Sequence, residues 1–172
     1  MGRPVYFDTS VFLEIASKKS THSKNIRDLL RELKNEKCRI YTSILTVQEV
    51  SVLSYARGKL ARDDYGQIAE LARIVGIDKN VALTAAKREA EIKDNAKETE
   101  VIEKRRRKWD CFHIATAQSI GCSVLYTTDK DLIKRKGQCG IEDLKFLLPA
   151  PEKMGLFVQN GEKKKEDLQI VK

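Results

Sequence analysis

Four acidic positions, each beside an apolar run, carry the chemical promise of this sequence. Asp8 follows Val5-Tyr6-Phe7, and Glu49 lies in Ile44-Leu45-Thr46-Val47-Gln48-Glu49. Asp110 precedes Cys111-Phe112-His113-Ile114-Ala115-Thr116-Ala117, and Asp129 with Asp131 follows Val124-Leu125-Tyr126 through Thr127-Thr128. Carboxylates brought within a few ångströms in a partly dry site repel one another by kilocalories, and they persist only where a cation offsets the repulsion. An oxygen-only donor set suits Mg²⁺ or Mn²⁺, ions that commonly keep water molecules and bind substrate phosphates.

Each acid also has a purely structural explanation. Asp8-Thr9-Ser10 is what precedes a helix start. Thr46 and Glu49 have the spacing of a capping box, whereas a helix capped by Thr42 or Ser43 would put Glu49 in its second turn, where it needs another purpose. Asp110 in a first helical turn is favoured by the helix dipole. Asp129 reads as a cap, and Asp131 as a first-turn acid partnered by Thr128.

A parallel sheet would bring these acids to one edge. Val5 to Phe7 reads as a buried strand passing straight into a helix that carries Val11, Phe12, Leu13 and Ile15. Ile26, Leu29, Leu30 and Leu33 recur at helical spacing, Cys38 to Tyr41 forms a second strand, and Val47, Val50 and Leu53 with Leu60 mark one or two helices. Tyr65, Ile68, Ala72 and Val75 continue the helical pattern. From Val81 to Lys108 the chain is highly charged, with four-residue pairs such as Glu89 with Lys93, and reads as an arm or bundle helix on the surface. Trp109 to Ile120 then reads as a helix opened by Asp110, Cys122 to Tyr126 as a strand, and Asp129 to Lys136 as a short helix closed by Gly137. Ile141 to Leu148 holds a final edge strand. Strands alternating with helices predict one three-layer α/β/α domain over residues 1–148, with a central, mainly parallel sheet. A mixed-charge tail, 149–172, reads as partly disordered.

Composition bounds the function. With 41% apolar residues the 172-residue chain builds a core without metal or disulfide staples. A formal net charge of +8 attracts polyanions such as nucleic acid. The residues from Met1 to Asp8 leave no room for the apolar core of a secretory signal, and no stretch is long and apolar enough for a bilayer, so a cytoplasmic protein is expected. Cys38, Cys111, Cys122 and Cys139 form no CxxC motif, which argues against a structural zinc site and for reduced, mostly buried thiols.

Taken in order, Val5-Tyr6-Phe7-Asp8-Thr9-Ser10-Val11, the Glu49 segment, Trp109-Asp110-Cys111-Phe112-His113-Ile114-Ala115-Thr116-Ala117 and Tyr126-Thr127-Thr128-Asp129-Lys130-Asp131-Leu132 resemble the four signatures of the PIN-domain ribonuclease family. The resemblance implies that Asp8, Glu49, Asp110 and Asp129 bind Mg²⁺ or Mn²⁺ and support hydrolysis of RNA to a 5′-phosphate and a 3′-hydroxyl. It implies that Asp131 is a water-mediated helper, and that Ser10 steadies Asp8 or touches a metal-bound water. Many relatives are dimeric toxins of prokaryotic toxin-antitoxin pairs, which implies a homodimer and a cognate antitoxin. The charged segment from Val81 to Lys108 and the tail depart from the compact toxin pattern.

The basic run Arg105-Arg106-Arg107-Lys108 ends just before Asp110, where it could hold an RNA backbone or form a solvated helix face. Tyr6, Phe7, Trp109 and Phe112 read as core rather than as base-stacking groups. His113 reads as a packed or hydrogen-bonded helix residue. Two other classes stay open. An aspartyl phosphotransferase or phosphatase would use Asp8 covalently, with Thr127 and Lys130 as helpers. A non-catalytic RNA- or partner-binding domain would keep the fold without turnover.

Overall fold

A computed structural model describes residues 2–17, 21–58, 62–95, 101–139 and 141–151, with the side chains of 62, 93–95 and 101–105 left aside. The chain opens with β1 (Pro4–Phe7), α1 (Thr9–Ala16), α2 (Ser23–Asn35) and β2 (Arg39–Ser43). It continues through α3 (Ile44–Ala56), α4 (Arg62–Leu71), β3 (Arg73–Val75) and α5 (Lys79–Asn95). The remaining elements are α6 (Val101–Ser119), β4 (Val124–Tyr126), α7 (Lys130–Cys139) and β5 (Lys145–Leu147).

All five strands are parallel, in the order β3-β2-β1-β4-β5. Strand alternation divides the core between the two faces of the sheet. Val5, Phe7, Val124 and Tyr126 pack with Ile26, Leu29 and Leu33 of α2 and Ile68 of α4. Tyr6 and Leu125 point to the other face, among Val81, Ala85 and Ile92 of α5, Ile114 of α6 and Leu132 of α7. The result is the expected three-layer α/β/α arrangement. Burying each large apolar side chain contributes about 1.5–3 kcal/mol, so both helical layers are firmly attached. No helix among the described residues is long and apolar enough to cross a membrane.

Four elements differ from the sequence expectation. The helical pattern read through Val75 stops at Leu71, and Arg73–Val75 forms an edge strand paired with Tyr41 to Ser43. Ile74 and Val75 are β-branched, and the open edge of β2 supplies backbone partners that a helical count does not reveal. The charged segment from Val81 to Lys108 is divided between α5 and the first half of α6, and α5 buries Val81, Ala85 and Ile92. Its α5 half is therefore a packed bundle helix rather than an arm, and residues 96–100 lie outside the described residues. The helix containing Asp110 starts at Val101, because nothing in the basic run interrupts it, so Asp110 lies mid-helix and the dipole explanation falls away. Likewise α7 runs through Gly137 to Cys139. Residues 152–172 of the tail lie outside the described residues.

The strand order positions the site. The chain moves outward from β1 to β2 and β3, then crosses back to β4 and β5 on the other side of β1. The carboxyl ends of β1 and β4 thus diverge at a topological switch point, where open parallel sheets bind ligands. Asp8 follows one of these strands and Asp129 the other.

Candidate active site

Asp8 is both a cap and a cleft residue. Its Oδ2 accepts from the Ser10 amide at 3.3 Å, capping α1, and from the Thr127 hydroxyl at 2.9 Å. Its Oδ1 lies 3.7 Å from His113 Nε2. Ser10 Oγ accepts from the Thr128 amide at 2.9 Å and lies 3.1 Å from Thr127 Oγ1, which in turn accepts from the Asp129 amide at 2.9 Å. Ser10 therefore stitches the turn after β1 to the turn after β4 and steadies Asp8 through Thr127. Asp129 caps α7 through Oδ1, which accepts from the Asp131 and Leu132 amides at 2.8 and 3.4 Å.

Ser43 caps α3, accepting from the Leu45 amide at 3.2 Å, so Glu49 stands in the second turn and the capping-box alternative is excluded. There the Glu49 carboxylate accepts a hydrogen bond from the Thr9 hydroxyl and lies 3.2 Å from His113 Nε2. Burial pushes the Glu49 carboxyl up, but the hydrogen bond and charge of His113 and the Thr9 hydroxyl outweigh it, leaving the carboxyl below its ordinary range. Burial pulls His113 down, yet the Glu49 hydrogen bond and the charges of Asp8, Glu49 and Asp110 raise it overall.

Asp110 is pushed up to about 7, chiefly by burial; Arg135 opposes this, and the charges of Asp8 and Asp129 add to it. The Arg135 guanidinium donates from Nε to Asp110 Oδ2 at 3.3 Å.

Asp8, Glu49, Asp110 and Asp129 line one cleft of about 230 Å³, together with Thr9, Ser10, Leu13 and His113. Asp131 is outside this lining. Its carboxylate is 46% exposed, pairs with Lys134 at 3.0 Å, and is held below the usual range first by that hydrogen bond. His113 and Thr9 are the site residues that the sequence reading left out. The signal was present for His113, because residues three apart on a helix share a face, as His113 does with Asp110.

The basic run divides by helical phase. Arg106 and Lys108 are exposed, whereas Arg107 is buried at 2% exposure, and the Arg105 side chain lies outside the described residues. Consecutive helical residues point in different directions, so this run does not form one phosphate-facing strip, and Arg107 leaves the proposed surface. Arg106 is four residues before Asp110 and shares its face. Trp109, expected in the core, is 39% exposed, while Tyr6 and Phe7 are fully buried.

Among the described residues, no three His, Cys, Asp or Glu side chains gather closely enough to hold one ion. That arrangement does not fit a closed zinc-type cage. A hydrated Mg²⁺ or Mn²⁺ would need only one or two direct carboxylates, its remaining positions being filled by water and substrate oxygens.

No curated protein matches the sequence. Solved structures with a similar fold include VapBC-1 of nontypeable Haemophilus influenzae, at 15% identity and a TM-score of 0.59, covering 85% of this chain and 98% of that one. DNA-bound VapBC of Salmonella typhimurium is similar at 18% identity and a TM-score of 0.58, covering 87% and 100%. The sarcin-ricin loop cleaving toxin VapC20 of Mycobacterium tuberculosis is similar at 14% identity and a TM-score of 0.54, covering 82% and 98%. The PIN domain pattern itself matches residues 5–138, a span that runs from β1 into α7 and includes every acid of the cleft, and this chain belongs to the PIN domain family.

Proposed function

We propose that the protein is a metal-dependent endoribonuclease that hydrolyses RNA phosphodiester bonds. The observation that carries the reading is the convergence of Asp8, Glu49, Asp110 and Asp129 on one cleft at the sheet's switch point. Family membership supports a nuclease role. Asp8, Asp110 and Asp129 are the candidate holders of Mg²⁺ or Mn²⁺, one or two of them binding directly and the rest, like Asp131, through water. When bound, such an ion lowers the pKa of water and offsets negative charge developing on a phosphate. Glu49, fixed by Thr9 and His113, is placed to accept a proton from the attacking water, or to join the ligands. Arg106 on the cleft face of α6 steers the RNA backbone towards the acids. The products are a 5′-phosphate and a 3′-hydroxyl.

The resemblance to the toxin nucleases of toxin-antitoxin pairs extends the reading to a cytoplasmic toxin that forms a homodimer and is restrained by a cognate antitoxin. The direct test incubates the full chain with a set of structured RNAs and either Mg²⁺, Mn²⁺ or a chelator, and maps the product ends. Internal cuts that need metal and vanish in Asp8→Asn are expected. No cut in any RNA, or cuts undiminished in Asp8→Asn, would refute the reading.

A further inference from the structure

Three elements meet behind Glu49. Tyr6 on β1 is fully buried, and its hydroxyl lies 2.7 Å from His113 Nδ1 on α6. The other ring nitrogen, Nε2, lies 3.2 Å from Glu49 Oε2 on α3, 3.5 Å from the Thr9 hydroxyl and 3.7 Å from Asp8 Oδ1. His113 is 2% exposed, and the Tyr6 ring meets it edge-on with centroids 6.0 Å apart. Packing thus fixes the plane in which both ring nitrogens point.

We propose that His113 is a positioning residue for Glu49, its hydrogen kept on Nε2 by the Tyr6 hydroxyl bound at Nδ1. The two ends of the ring require the same tautomer. At Nε2 the neighbouring carboxylates only accept hydrogen bonds, so a bare nitrogen would set acceptor against acceptor in a buried place. At Nδ1 the Tyr6 phenol lies 2.7 Å away, and a phenol, protonated near neutral pH, donates to a bare ring nitrogen. Glu49 is a long side chain with a free choice of rotamers until something holds it. The Nε2 hydrogen and the Thr9 hydroxyl both converge on Oε2, while the 30% exposed side chain remains open to the cleft. Groups behind a metal-binding carboxylate orient it, and losing one typically reduces activity or metal affinity by about 10–100-fold.

The kinetic consequence rests on the ribonuclease reading, whereas the tautomer does not. His22 and His113 are the chain's two histidines, so His22→Gln leaves a single imidazole in a long-range ¹⁵N–¹H correlation spectrum. That protein, titrated until its ring nitrogen shifts stop changing with pH so that the ring is neutral, should show hydrogen on Nε2 and a bare Nδ1. A neutral ring with hydrogen on Nδ1 overturns the proposal without recourse to any further variant. Adding Tyr6→Phe removes the donor at Nδ1, so the Nδ1 resonance should move to that of an unbonded bare nitrogen while the carboxylates keep hydrogen on Nε2, and an unchanged Nδ1 shift also overturns the proposal. In cleavage assays Tyr6→Phe should lower kcat by about 10-fold with KM for RNA unchanged. His113→Gln, which keeps an N–H near the Nε2 position, should retain more kcat than His113→Leu; equal losses would reduce His113 to packing. If the parent protein cuts no RNA, the ribonuclease reading fails, and the nitrogen shifts still decide the positioning role.

Discussion

Arg135 Nε lies 3.3 Å from Asp110 Oδ2, so a buried guanidinium from α7 meets a cleft carboxylate on α6. The same guanidinium donates from Nη1 to Gln138 at 3.1 Å and is 5% exposed as a residue, which fixes its position. In Arg135→Met, Asp110 responds by keeping a proton, because its carboxyl already stands at about 7 with Arg135 present. That response limits the loss of stability in metal-free protein to about 1–3 kcal/mol, the cost of unmade buried hydrogen bonds. Stranding a fixed charge would cost roughly 3–5 kcal/mol. Denaturant unfolding at neutral pH separates the two, and a loss in the upper range would mean Asp110 stays ionised.

If Asp110 holds the metal of the proposed reaction, proton and metal compete there. Its carboxyl is raised in the folded chain to about 7 by burial, against Arg135 and with the help of Asp8 and Asp129. A raised carboxyl favours the fold below its unfolded pKa, near about 3.9, and this contribution is lost as pH climbs towards the folded value. A divalent ion in the cleft takes the place of the proton, so excess Mg²⁺ should raise Tm more at pH of about 8 than at about 5. Thermal unfolding with and without Mg²⁺ at both pH values measures this. An equal or reversed difference would remove Asp110 from the metal site, and Asp110→Asn should flatten the dependence.

The acids were legible because apolar strands ending in small polar residues mark where a parallel sheet presents side chains. Val5-Tyr6-Phe7-Asp8 and Val124-Leu125-Tyr126 before Asp129 both have that form, and their strands pair directly. Arg73–Val75 was missed because three residues are too few to show a period of two, and its partner β2 is more than thirty positions earlier in register. Asp110 was placed correctly beside an apolar helix but in the wrong part of it, since a charged first half looks like a boundary although the helix passes through. His113 gave no sign of its partners because Tyr6 and Glu49 are distant in sequence and meet it only through the packing of α6 and α3 on the sheet.

Removing charge while keeping shape tests the cleft acids individually. Asp8→Asn, Glu49→Gln, Asp110→Asn and Asp129→Asn should each lower Mg²⁺- or Mn²⁺-dependent RNA cleavage by at least about 100-fold, since each removes a metal contact or a water-orienting group. Asp131→Asn should be far milder, because that carboxylate faces solvent and Lys134 rather than the cleft. Initial rates on one cleavable RNA suffice. Full activity in any of the four removes that residue from the site, and a loss in Asp131→Asn equal to that in Asp129→Asn would exchange their roles.

Helical phase makes the basic run a controlled test of how RNA is held. Arg106 is exposed and lies four residues before Asp110 and seven before His113, on the face of α6 that carries them. Lys108 is also exposed but lies two positions before Asp110, about 160° around a helix of 3.6 residues per turn. Arg107 points inward. Arg106→Ala should therefore weaken RNA binding and reduce the slope of log affinity against log salt by roughly 0.7 if one phosphate contact is lost. The change should be alike for unrelated RNAs, because a phosphate contact positions the strand without reading its bases. Lys108→Ala should change both quantities much less. Arg107→Ala should lower Tm, and its RNA salt slope should stay that of the parent at temperatures where it is folded. Fluorescence anisotropy of labelled RNA across a salt series, with cleavage blocked by chelator, reads all three. If Arg106→Ala leaves affinity and slope unchanged, or Lys108→Ala matches it, the RNA does not approach the acids along this face of α6.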